Sequence, residues 1–552
     1  MKNKILLLVG SILLLTQHVF AQNAEDNQGR FGGSLQSNAN FFQRDPKIGA
    51  SGTPQYDNQL FGAETWLNLN YSKSGYDMGL RFDLFNNSNL LNPTGSYTGQ
   101  GIGNWYLHKK IKQLDVTVGY VYDQIGSGII YRAYEERPLA IDNALFGARL
   151  QYDLSPNWKI KAFTGKQKQQ FDSYGSIVKG AAIDGFVALG DSTKSITISP
   201  GFGVVNRTFD DISIQQLVSA VGSYTPQDSF AIGYNTFSFS AYNTLTAGNF
   251  SWYIEGAYKS ADIMFDPDAP KLNFNGKYAL GKLVKRSGSI LYSSLSYAQN
   301  GFGITVEGKR TENFKSRTNP FVTLNRGAIN FLPPMTRQNS YRLTARYQAA
   351  TQELGEQSIQ ADVRYKINKH LSANVNFSDI TTLDNKQLYR EIYTELAYKQ
   401  KKYSITGGLQ LQQYNQERYE VKPGVPLLKT VTPYIEVVYK FSKKKALRVE
   451  AQYMDTKQDF GSWVFALAEY SITPHWIFTV SDMYNAVPQK INTFTGKLEK
   501  IHYPNLGVVF TQHSNRFSLN YVKQVEGIVC TGGICRLEPA FSGVKMTVNS
   551  TF

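Results

Sequence analysis

The chain has 552 residues, a formal net charge of +15, 13% aromatic residues and two cysteines. No nucleic-acid motif accompanies the basic balance, and beyond the N-terminus no apolar run approaches the roughly 20 residues a membrane helix needs. A nucleic-acid binder and a helical membrane protein are therefore excluded. Abundant Tyr and Phe on a slightly polar chain suit a β-barrel, in which a polar lumen dilutes the apolar signal and aromatic girdles mark the interfaces.

At the N-terminus, Lys2 and Lys4 precede the apolar run Ile5 to Leu15, and Val19-Phe20-Ala21 offers small residues for cleavage. Residues 1–21 read as a secretory signal peptide cleaved before Gln22, with no cysteine there for a lipid anchor. Residues 22–552 are expected to form one barrel domain. The first strand is placed near Phe31, which leaves no room for an N-terminal plug domain or periplasmic repeats, and no domain is expected after Phe552.

From there, strands of about ten residues follow one another, the span of a tilted membrane strand. Two are especially clean: Ile435, Val437, Tyr439 and Phe441 alternate with Glu436, Val438 and Lys440, then Leu447, Val449, Ala451 and Tyr453 with Arg448, Glu450 and Gln452. Short connections, such as Ser72-Lys73-Ser74-Gly75, Gln299-Asn300-Gly301 and His513-Ser514-Asn515, alternate with long ones near 44–60, 124–143, 210–229, 260–287, 485–502 and 526–539. Segregated loop lengths predict an all-β fold, a transmembrane antiparallel up-and-down β-barrel with short turns periplasmic and long loops extracellular. Leu154-Ser155-Pro156-Asn157-Trp158 and Ile472-Thr473-Pro474-His475-Trp476 repeat one turn design with an aromatic anchor.

Direct counting gives about 25 strands, yet two periplasmic termini require an even number. Counts from the two ends disagree by one strand between Glu307 and Leu371. Making Pro320 to Phe331 a strand, Leu332-Pro333-Pro334-Met335 its periplasmic turn and Thr351 to Gln357 an outer loop gives about 26 strands, with about 24 as the second solution.

Three lysine clusters fall at periplasmic turns: Lys109, Lys110 and Lys112; Lys399, Lys401 and Lys402; and Lys443, Lys444 and Lys445. They read as solvated hairpin tips that discourage edge pairing, or as attractors of phospholipid headgroups or an acidic partner. Cys530 and Cys535 flank Gly532-Gly533 in the last outer loop, and an oxidising compartment favours a disulfide between them over a metal site. His108, His370, His475, His502 and His513 assemble with no nucleophile or acid cluster, so no enzyme, metal or cofactor is expected. The acids Asp262, Asp266 and Asp268 read as a solvated loop, or as divalent-cation ligands. In the last strand Val544, Met546, Val548 and Phe552 share one face and Lys545, Thr547, Asn549 and Thr551 the other. This is the pattern of a barrel-closing strand that ends in an aromatic sorting signal.

Cys530-Thr531-Gly532-Gly533-Ile534-Cys535-Arg536 followed by Pro539-Ala540-Phe541-Ser542-Gly543 resembles the ending of a family of large outer-membrane barrels of Bacteroidota. Ala350 to Glu356, Gln360 to Tyr365 and Phe42-Gln43-Arg44-Asp45 are similar to its central and opening segments, while Leu537-Glu538 departs from the more apolar pair expected. The resemblance implies a non-enzymatic accessory subunit of the Bacteroidota-type β-barrel assembly machinery, in the outer membrane beside a barrel insertase and surface-exposed lipoproteins. A passive diffusion channel is the alternative, because a barrel this wide has a large lumen unless loops fill it.

Overall fold

The computed structural model describes residues 29–190, 196–272, 276–322, 326–531 and 534–552, excepting the side chains of 529–531 and 534–535. The proposed signal peptide, residues 1–21, lies outside the described residues.

Twenty-four antiparallel strands, from Arg30–Phe42 to Phe541–Thr551, pair in sequence order and close on themselves; a short extra strand, Val187–Leu189, pairs only with Ile196–Thr208. The all-β barrel read from the sequence is thus present, and the strand number is that of the second solution. The described residues of Pro320 to Phe331 form no strand: their regular pairing is limited to an isolated bridge between Arg317 and Ala328, and Leu332 to Met335 makes no hairpin turn. The segment belongs to a long excursion from 313 to 354 between the strands Phe302–Glu312 and Gly355–Lys366, which pair directly with each other. Parity is restored by removing a strand from the count.

Alternation explains why these segments are strands and which way they face. In Gln387–Lys399, Ile392, Leu396 and Tyr398 are exposed on the outside while Tyr389, Glu391 and Tyr393 are buried inside. The neighbouring Tyr403–Tyr414 repeats the pattern, with Ile405, Leu409 and Leu411 outside and Gln410 and Gln412 inside. An apolar outer surface around a polar lining is stable only with hydrocarbon outside, because apolar area in water costs about 25 cal/mol per Å². Inside, Arg448 bridges Glu436 (2.7 Å), Glu450 and Glu469 (3.9 Å) across three strands.

Turns segregate largely as expected; the exceptions are the tight turn at Gln170-Phe171 among the long loops and the longer connection after Gly185, with the extra strand, among the short turns. At one end two-residue hairpins such as Ser74-Gly75 and Asn300-Gly301 hold both residues at positive φ (51° and 74°, 50° and 83°), the geometry that matches strand twist. The long connections lie at the other end. The region 260–287, read as a loop, is instead mostly strand: Phe250–Leu272 and Tyr278–Gln299 run to 23 and 22 residues and project as a hairpin arm. An α-helix, Asp211–Gly222, capped by Asp210, packs Leu217 and Val221 on Ile263 and Leu283 of this arm.

The seam is fully zipped. Arg30–Phe42 pairs with Phe541–Thr551 from Ser34 opposite Thr551 to Phe42 opposite Gly543. Phe552 extends it: its N–H donates to the Gly33 carbonyl at 3.0 Å, and the Gly33 N–H donates to the Phe552 carbonyl at 2.8 Å. The Phe552 ring lies over Gly33, where a Cβ would come within 2.6 Å of the ring and 2.8 Å of the Asn68 carbonyl. Gly33→Val is therefore expected to destabilise the folded barrel by about 1–3 kcal/mol through overpacking. Thermal loss of heat-modifiable gel migration measures it, and an unchanged midpoint contradicts the assignment of the seam.

Candidate functional site: a lumen filled by its own loops

Two long connections fold inward instead of outward. The first, 122–144, buries Ile125, Ile129, Ile130 and Tyr131 against the wall residues Leu145, Phe163, Val178 and Val205. Its charged end is tied to the wall, where Arg81 bonds Glu135 and Asp142 at 2.6 and 2.7 Å, and Arg137 donates to Gln36 at 2.8 Å. The described residues of the second, 313–322 and 326–354, cross the lumen in two limbs.

The early limb joins the first inward loop. Phe314, Ile329 and Leu332 enter the same apolar cluster as Ile125 and Ile130, and the backbones bond directly: Arg132 N–H to Ile329 and Phe331 N–H to Gly128, both 3.0 Å. Wall side chains hold its carbonyls. Lys259 donates to Lys315 at 2.7 Å, Arg207 to Arg317 at 2.9 Å, Ser176 to Thr318 at 2.6 Å and Gln167 to Ala328 at 2.6 Å. Lys259 and Arg207 are both paired with Asp262, at 3.0 and 2.8 Å, and all three side chains are buried.

The late limb lies on another arc of the wall. Asn339 donates to Glu391 at 2.8 Å, Gln410 to the Thr344 carbonyl at 3.0 Å and Gln412 to the Tyr347 carbonyl at 2.6 Å. The Leu343 N–H donates to Gln452 at 2.8 Å. Met335, Leu343 and Tyr347 are buried among Tyr389, Tyr414, Trp463 and Phe541, so this cluster reaches round to the seam. Tyr347 donates to Asp459 at 2.8 Å. Burial opposes ionisation of Asp459, yet Lys422 and Arg346 hold its carboxyl below the usual range.

Where the excursion leaves and rejoins the barrel, one ion pair clamps its neck. Lys309 and Glu356 meet at 2.8 Å with both side chains 0% exposed. Lys309 also donates to the Pro333 carbonyl and, at 2.8 Å, to Thr351, while Glu356 accepts the Gln352 N–H at 2.8 Å. Two of the cavities left among the described residues lie on either side of this filling. One of about 1130 Å³ opens among the short turns and is lined by Trp158, Lys161, Asp184, Tyr242 and Tyr253. The other, about 400 Å³, lies under the long loops beside Arg342, Arg346, Glu420 and Lys490, and the two share no lining residue.

The residues singled out from sequence are scattered around this plug. Val544, Met546 and Val548 pair with Phe41, Ala39 and Ser37 at the seam. The lysine clusters all sit at short turns; the second and third are adjacent, the Lys440 N–H donating to the Lys402 carbonyl at 2.7 Å, and the first lies far round the rim. The backbone of a small hairpin, Gly527–Thr531 with Ile534–Glu538, places Cys530 opposite Cys535, but the two side chains lie outside the described residues. Asp262, Asp266 and Asp268 do not form a shared acidic site. Asp266 pairs with Arg286 at 2.9 Å, Asp268 with Arg418, and Asp262 with the buried cations above. Lys309, Glu356, Arg207 and Lys259 were missed, each passing for an ordinary polar residue of a strand; the one signal was the parity defect at their position.

The chain is a large, closed β-barrel of outer-membrane type, with a lumen occupied by its own connections. Over residues 1–552 it matches the model of DUF6029, a family of unknown function, and it belongs to that family. No curated protein matches it. Among solved structures it is similar to a mutant ferric enterobactin receptor (PfeA) of Pseudomonas aeruginosa, at 7% identity over 96% of this chain and 81% of that one, with a TM-score of 0.40. It is also similar to the P pilus usher (PapC) translocation pore, at 10% identity over 94% and 99% and a TM-score of 0.37. A third is Acinetobacter baumannii OccAB4, at 12% identity over 72% and 97% and a TM-score of 0.33.

Removing one member of a buried pair leaves an uncompensated charge and typically costs about 3–5 kcal/mol. Lys309→Met is thus expected to loosen the neck, with faster hydrogen exchange at Ile329, Phe331 and Leu343 than in the wild type and little change in the wall strands. Uniformly faster exchange would instead make Lys309 a general stabiliser of the barrel.

Proposed function

We propose that the chain is a non-enzymatic, non-conducting barrel of the bacterial outer membrane, with its short turns and both termini in the periplasm. It serves as an accessory or scaffold subunit of an outer-membrane protein assembly or export complex. The observation that carries this reading is the covalently continuous segment 313–354, fixed to two arcs of the wall and clamped by Lys309 and Glu356. A passive diffusion channel needs an open lumen, and here two of the chain's own connections occupy it. With transport disfavoured, the long-loop surface is what the barrel presents. It leaves Val421, Tyr278, Leu280 and Ile212 more than half exposed (84%, 74%, 73% and 67%), apolar contacts suited to protein partners. The resemblance of the Cys530 to Gly543 ending nominates those partners: a barrel insertase and surface-exposed lipoproteins.

A disulfide between Cys530 and Cys535 would stiffen the hairpin that overhangs the seam. Directly opposed residues in an antiparallel ladder sit about 4.5–5.5 Å apart at Cα, within the range a disulfide spans. From this hairpin Arg536 reaches the Pro138 carbonyl of the first inward loop at 2.6 Å.

Affinity purification from gently solubilised outer membrane is expected to recover the insertase barrel and lipoproteins, and recovery of the chain alone contradicts the scaffold role. For the cysteines, alkylation of two thiols is expected only after reduction; alkylation of the untreated folded protein contradicts the disulfide.

A further inference from the structure

The three lysine clusters share a rim but not an environment. Around the first, Lys110 pairs with Asp153 at 3.4 Å, and Lys109 donates to the Ser74 carbonyl at 2.7 Å beneath the Tyr76 ring. Asp77 and Asp115 flank His108 close by. The second and third clusters have no such company. Lys401, Lys402, Lys443, Lys444 and Lys445 are exposed, and none makes an ion pair among the described residues. The carboxylates on the strands that carry these turns face the lumen and are already engaged, Glu436 and Glu469 by Arg448, and Glu395 by the Tyr393 and Tyr434 hydroxyls. The same arc carries outward-facing Tyr398, Tyr403, Tyr439, Phe441 and Trp476 within a few residues of the turns.

The geometry points to this arc as a docking site for anionic phospholipid headgroups of the leaflet that meets the short turns, an assignment that rests on the outer-membrane reading above. Exposed aromatics of this kind settle at the headgroup level, so the tips beside them lie among phosphates instead of reaching into free solution. A lysine ammonium is a compact, hydrated, flexible charge that engages phosphate without losing its water, and several together draw anionic lipid out of a mixed bilayer. Because the five lysines are unpaired, no existing ion pair has to break. The first cluster, partly neutralised by its own acids, serves as the internal control. An acidic periplasmic protein would meet the same charge, but nothing apolar on that partner is needed to account for the aromatic half of the arc.

The test places the full chain in mixed phosphatidylcholine–phosphatidylglycerol nanodiscs and counts lipids retained after detergent release by native mass spectrometry. The wild type is expected to retain phosphatidylglycerol about fivefold above its bilayer share at low salt, and near that share at high salt. K401Q/K402Q/K443Q/K444Q/K445Q, checked for folding by heat-modifiable migration, loses the enrichment, and K109Q/K110Q/K112Q keeps it. Insertion without enrichment, equal loss in both variants, or a preference for polyglutamate added in solution overturns the lipid arc alone. Failure to insert into any bilayer overturns the membrane reading with it.

Discussion

In hydrocarbon no water is available to satisfy a backbone N–H or C=O, so a sheet that crosses it must pair every strand on both sides. That requirement is met here at the seam between Arg30–Phe42 and Phe541–Thr551, completed by the reciprocal bonds of Gly33 and Phe552. Everything else follows from closure at 24 strands. A ring of that size encloses a space its own wall side chains cannot fill. The chain meets this with two inward connections that carry their own apolar clusters, and the polar lining supplies the bonds that hold them.

The way the plug is held differs from the way a globular core is held. Its apolar residues, among them Ile129, Phe314, Leu343 and Tyr347, pack on aromatic and aliphatic wall residues. The carbonyls of its second connection, which form no regular ladder, are taken up by wall donors such as Gln167, Arg207, Lys259, Gln410 and Gln412. A buried carbonyl without a partner costs about 1–3 kcal/mol, so each of these donors removes a penalty that irregular backbone would otherwise carry. The cations among them are paired in turn, which keeps their own burial tolerable.

Much of the wall was legible because its signal is local. Residues 435–453 alternate so strictly that face and turn could be read from them, and Phe552 announced the closing strand. The plug was not legible, because nothing in periodicity says whether an irregular run points out of a barrel or into it. Its trace was indirect: the two strand counts failed to agree between Glu307 and Leu371, the interval that contains 313–354. Reading that defect as a missing strand assigned Pro320 to Phe331 to the wall, although Pro320, Pro333 and Pro334 suit a segment whose carbonyls are bonded by side chains. The arm at 250–299 was misjudged for a related reason. Asp262 and Asp266 interrupt its apolar pattern because they meet Arg207 and Arg286 on other strands, not because the strand ends.

The central claim is that the barrel is shut by its own chain. Planar-bilayer recording of the purified wild type, beside a variant with residues 316–350 replaced by a short Gly-Ser linker, tests it most directly. A barrel filled by this segment gives no steady conductance as wild type and large, steady openings as the variant. A steady conductance from the wild type that the deletion leaves unchanged would contradict it.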